Sequence, residues 1–114
     1  MPNYMMLLYA PDPASPEEQA ERDAELPVWY ELLDSLREEG LLVGNGRLHW
    51  ADAATTLRVR DGEVEIGDGP FAVTKEILGG YFILDCRDLD HALQQAERIP
   101  VARYGSVEVR PIAA

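Results

Sequence analysis

Five side chains in this sequence have types and settings that can do chemistry: Arg47, His49, Lys75, Glu76 and Tyr81. His49 lies in a loop-like run beside Arg47 and Trp50, and an imidazole there can exchange a proton near neutral pH. The competing reading is a solvated loop histidine. Lys75 next to Glu76 can bind or polarise a carbonyl, or it can form a surface ion pair worth under ~1 kcal/mol. Tyr81, and also Tyr4, can supply a phenolic donor, although both fit core packing. His91 faces out of its helix by periodicity. Cys86, the single cysteine, reads as an inert packed thiol. It has no partner for an internal disulfide, and no Cys/His spacing resembles a metal site. Neither a metal nor a cofactor is expected.

Composition narrows the setting. The 114 residues include 21 acids and 10 bases, a formal charge of −11. That balance argues against nucleic acid or an anionic membrane as partner, since both reward Lys and Arg. Apolar residues make up 46%, which excludes disorder as the default. A chain of this size exposes about 6,200 Å² folded and about 18,000 Å² unfolded, enough for one core and one domain over residues 1–114. The N-terminal run lacks the basic flank and cleavage site of a signal peptide, and no apolar stretch approaches the ~20 residues that span a bilayer. A soluble cytoplasmic location is expected.

The elements that must position these groups can be read in order. Tyr4–Ala10 is apolar throughout and closed by Pro11-Asp12-Pro13, which suits a strand buried on both faces. Ser15, Pro16 and Glu18 form the start signal of a helix. Its apolar stripe is Leu26, Trp29, Leu33 and Leu36, and Pro27 predicts a kink or two consecutive helices. Residues 17–39 hold nine acids and two bases. That run reads as a solvated face, or as a docking surface for a basic protein. Leu41–Val43 opens a second strand, broken by Gly44-Asn45-Gly46. Thr55–Ile66 is a hairpin around Asp61-Gly62, the pair that favours a type I′ turn. That turn pairs Leu57 with Ile66 and Val59 with Val64 on one face, and Arg58 with Glu65 and Arg60 with Glu63 on the other. A third main strand covers Gly80–Cys86. A short helix capped by Asp88 follows, with Leu89, Ala92, Leu93 and Ala96 as its apolar face. The last strand, Tyr104–Ile112, sends Val107 and Val109 one way and Ser106, Glu108 and Arg110 the other.

This order, β-α-β-(hairpin)-β-α-β, is the ferredoxin-like βαββαβ pattern of the α+β class with an inserted β-hairpin. Both central strands are apolar on both faces, so the face without helices needs a cover. A second copy with the same face is the simplest one, which predicts a homodimer and a dimeric α+β barrel. The inserted hairpin is the alternative cover. Ser106, Glu108 and Arg110 would then line an enclosed sheet face and pair with each other, with the partner chain or with a ligand.

Asp68-Gly69-Pro70-Phe71, Thr74-Lys75-Glu76 and Gly79-Gly80-Tyr81-Phe82 together resemble the signature of the DGPF group of YCII-related proteins. The resemblance extends to Ala54-Thr55-Thr56, Arg60-Asp61-Gly62, Asp88-Leu89-Asp90 and Gly105–Pro111, nearly the whole chain. It implies a ferredoxin-like fold dimerising as an α+β barrel, with no agreed reaction for the group. Some YCII-related proteins carry a His-Asp pair in a pocket, and one branch removes chloride from a hydroxylated aromatic. The resemblance matches that aspartate with Asp12 and places Trp29 at the helix histidine, so the imidazole base of that chemistry is absent here. DGPF proteins also tend to be encoded beside extracytoplasmic-function sigma factors.

Two functions follow as expectations. In the first, a small polar compound, aromatic or carbonyl-bearing, binds or reacts in a small cavity between the sheet and the hairpin. Asp12 and His49 are then the catalytic candidates, and Arg47, Lys75, Glu76 and Tyr81 the substrate-binding ones. In the second, the chain is a non-catalytic accessory or regulatory protein in a sigma-factor-linked stress circuit.

Overall fold

The apolar run after Pro2 forms strand β1 (Asn3–Ala10), which ends where the Pro11–Pro13 segment can no longer donate to a ladder. The computed structural model describes residues 2–113. The acidic segment forms two helices, α1 (Pro16–Asp23) and α2 (Leu26–Glu38). Pro27 sits in the first turn of α2, where its missing N–H costs nothing. Ser15 caps α1 by accepting the Glu18 N–H at 3.1 Å. Then come β2 (Leu42–Arg47), a single 3-10 turn at Ala51–Ala53, and the hairpin β3 (Thr55–Arg60) and β4 (Glu63–Asp68). The chain closes with β5 (Ile77–Asp85), α3 (Leu89–Ala96), a 3-10 turn at Pro100–Arg103 and β6 (Ser106–Pro111).

The protein is mixed α+β. Four strands form one antiparallel sheet in the order β2-β5-β1-β6, and β3 and β4 form a separate two-stranded sheet. Alternation decides the two faces of the larger sheet. Tyr4, Met6 and Leu8 of β1 and Phe82 and Leu84 of β5 are buried with Leu32 and Leu36 of α2 and Ala92 and Ala96 of α3. Met5, Leu7, Tyr9, Tyr81 and Ile83 point to the other face, which carries no helix, and stay half-buried. Val107 and Val109 pair with Leu8 and Met6 and so join the core side.

The hairpin has the register expected from Asp61-Gly62. Leu57 faces Ile66 and Val59 faces Val64, and both turn residues have positive φ, 52° and 78°, as a type I′ turn requires. It does not pack over the helix-free face of its own sheet. That possible cover within one chain is therefore not used.

Three sequence expectations need correction. The second strand is not broken at its glycines: β2 runs through Gly44-Asn45-Gly46. A Cβ at Gly46 would come within 2.6 Å of the Tyr81 ring on the neighbouring strand, so that ring lies directly over the glycine. His91 does not face solvent but is buried at 7% exposure. Its Nδ1 accepts the Arg87 backbone N–H at 3.0 Å, while the His91 backbone N–H donates to the Asp88 carboxylate at 2.8 Å. Burial is tolerated because the imidazole satisfies a loop amide. Leu89 and Leu93, assigned to the buried side of the same helix, are instead about half exposed, and Ala92 and Ala96 make its contact with the core.

Candidate functional site

On the helix side of the sheet, near the β2 edge, lies an open cleft of about 610 Å³, within the range of small-molecule sites. Its floor is apolar: Leu8 from β1, Leu26, Trp29 and Leu33 from α2, Phe82 from β5, and Val101 and Tyr104 near the C-terminal turn. Trp29 meets Phe82 edge-on, with ring centroids 6.2 Å apart, a favoured aromatic geometry.

Three of the six candidate residues reach this cleft from three different settings. Asp12 comes from the loop after β1, Arg47 from the end of β2, and His49 from the loop that follows. The other three lie elsewhere. Tyr81 points to the helix-free face, the opposite side from buried Tyr4. Glu76 accepts the Ser106 hydroxyl at 2.8 Å on the β6 edge and makes no ion pair with Lys75, which is exposed. Of the polar side chains on the helix-free face, Arg110 is ion-paired with Glu108. The cavity is also not where the sequence placed it: β3 and β4 contribute nothing to its lining.

The loop that carries Asp12 is held on both sides. The Glu18 carboxylate accepts the Ala14 N–H at 3.0 Å and pairs with Arg22 at 2.9 Å. Arg22 in turn donates to the Pro11 carbonyl at 2.7 Å and lies over the Tyr104 ring at 4.7 Å. That guanidinium, 17% exposed, ties loop, helix and aromatic wall together through charge-assisted hydrogen bonds and a cation–π contact. Burial pushes the Tyr104 phenol above its ordinary range, the Glu25 carboxylate pushes the same way, and Arg22 opposes them. On the far wall, Arg47 pairs with Gly80 in the ladder and the Leu48 N–H donates to the Gly79 carbonyl at 2.9 Å. The chain turns again where the Ala53 N–H bonds the Trp50 carbonyl at 3.0 Å, so His49 stands between two anchored points.

Sequence reading missed Arg22 and Tyr104. The Glu18–Arg22 spacing of four on one helix was the available signal for the first; nothing local marks Tyr104, which a distant turn delivers. Among the described residues no carboxylate pairs with Arg47. An unpaired guanidinium, an imidazole and a carboxylate at the rim of an aromatic-floored cleft can hold a polar group and move a proton to or from it.

The architecture is that of a small α+β protein with an open cleft beside its sheet, and comparison with known proteins places it. The model of the YCII-related domain matches residues 3–114, and the chain belongs to that family. It is similar to an uncharacterised protein of Rhizobium meliloti (strain 1021), 47% identical over 78 residues that make up 67% of this chain. The match spans 63% of that relative's length.

Proposed function

We propose that this YCII-related protein binds, and in the fuller reading transforms, a small polar compound with an aromatic or carbonyl group. One observation supports this above others: Asp12, Arg47 and His49 converge on one aromatic-floored cleft of about 610 Å³. The aromatic floor suits a ring, Arg47 suits a carbonyl or carboxylate oxygen, and Asp12 and His49 are the candidate acid–base groups. Trp29, which resemblance puts at the position of a family pocket histidine, lines the same cleft, so His49 is the imidazole available to it. The finer assignments belong to the same proposal. The motifs favour the DGPF group, and the β2-β5-β1-β6 order fits a ferredoxin-like domain pairing through its helix-free face as a dimeric α+β barrel.

A thermal-shift screen with phenols, quinones, aromatic carboxylates and carbonyl compounds tests the reading, run in parallel on Arg47→Ala and His49→Ala. A ligand at a hundred times its dissociation constant adds about 2.7 kcal/mol, several degrees in a domain of this size. A hit that weakens in Arg47→Ala or His49→Ala is the expected result. Hits indifferent to both substitutions, or none, would favour the accessory role, for which the acidic surface of α1 and α2 is the docking candidate.

A further inference from the structure

The β3–β4 hairpin, like the helix-free face of the large sheet, is left uncovered by its own chain. The cross-strand pairs Leu57–Ile66 and Val59–Val64 form one apolar face, and these four side chains are 55–68% exposed. Just beyond the hairpin, Phe71 and Val73 are 78% and 94% exposed. The opposite face pairs Arg58 with Glu65 and Arg60 with Glu63, so the ribbon is amphipathic with its apolar side exposed. An isolated two-stranded hairpin is marginal in water, and contiguous apolar surface of this kind marks an interaction site.

The size of the uncovered surface indicates what occupies it. The chain exposes 7810 Å², against about 6,200 Å² for a monomer of its size. Its radius of gyration is 16.1 Å, against about 13 Å for a compact domain. Its extents of 47 × 42 × 19 Å describe a slab. The excess, hairpin and helix-free face together, is roughly 1,600 Å² per chain, so two chains covering it would remove roughly 3,200 Å², the scale of an obligate homodimer interface. A small peptide or a loop would leave most of that surface bare.

We propose that the β3–β4 hairpin is an arm that clasps a second copy of this chain, with Leu57, Val59, Val64 and Ile66 seated against the partner. The proposal rests on the homodimer reading for its occupant but uses a different surface from the helix-free face. Sedimentation velocity across a dilution series tests it on the wild type, on Val59→Lys/Ile66→Lys, and on Leu7→Lys on the helix-free face. Each lysine lowers the net negative charge, so weaker association in these variants cannot come from added like-charge repulsion. Amide exchange over residues 57–66, read against concentration, reports on the arm independently of any variant.

A dimeric wild type is expected, with arm amides that gain protection as concentration rises. The arm variant then dissociates about a hundredfold more readily, with its circular dichroism and its β1 and β5 amide exchange unchanged. An arm variant with the wild-type dissociation constant overturns the proposal. If Leu7→Lys alone yields monomers, the homodimer stands without the arm. A monomeric wild type overturns both.

Discussion

The cleft wall and the hairpin are built from similar materials and finished differently. Around Asp12, Arg22 alone joins a backbone carbonyl, a carboxylate and an aromatic ring, and the floor below is continuous with a core in which Met6 and Leu84 have no exposed surface. The hairpin has equally good internal order, with six paired residues on each strand, yet its apolar side faces outward. A correct register is therefore a local achievement, whereas burial needs a second surface. In one region the chain supplies that surface; in the other it does not.

The contrast can be broken most forcefully by truncating one side chain in each region. Leu36, 1% exposed, should lose about 2–5 kcal/mol of stability as Leu36→Ala. Val64→Ala on the hairpin should change stability by no more than about 0.5 kcal/mol, both by urea unfolding at high dilution. A large loss from Val64→Ala under those conditions would mean that the hairpin is packed within one chain. A smaller effect sharpens the picture of the cleft. Arg22→Met keeps the stem and removes the ties to Pro11 and Glu18. It should cost about 1–3 kcal/mol and speed amide exchange at Ala14, the other anchor of the Asp12 loop. Unchanged Ala14 exchange would show that the loop holds without the guanidinium.

The smallest effect is one of pH. Burial sets the Tyr104 phenol above its ordinary value of 10.0 in the folded chain. Its contribution to stability is therefore complete below that value and is lost as pH rises through the raised folded value. Stability should fall on the alkaline side, and Tyr104→Phe should flatten that fall. Tyrosinate absorbance should show a late-ionising phenol that disappears in Tyr104→Phe.

What could be read from the sequence follows the range of the interactions involved. The hairpin register rests on two adjacent residues, Asp61 and Gly62, whose positive φ values fix the pairing of everything beside them. The start of α1 is equally local, because Ser15 and Glu18 satisfy neighbouring amides. Arg47 and His49 could be named from residue type and setting and Asp12 from the family resemblance, but their meeting in one cleft depends on the strand order. Lys75, Glu76 and Tyr81 are chemically just as plausible and fall outside it for the same reason. His91 was misread because an eight-residue helix gives periodicity little to work with. The apolar residues Leu89 and Leu93 look like its buried side until the Arg87 amide is seen to need an acceptor.

Gly46 carries a consequence for how this surface can change by descent. A methyl group at that position would displace the Tyr81 ring, and Tyr81 belongs to the face that has no helix over it. A single substitution in β2 would thus redraw a neighbouring strand's contour, on the side of the sheet away from the cleft. A larger residue at position 46 therefore calls for a smaller or turned side chain at position 81, whereas a change at 81 alone asks nothing of Gly46.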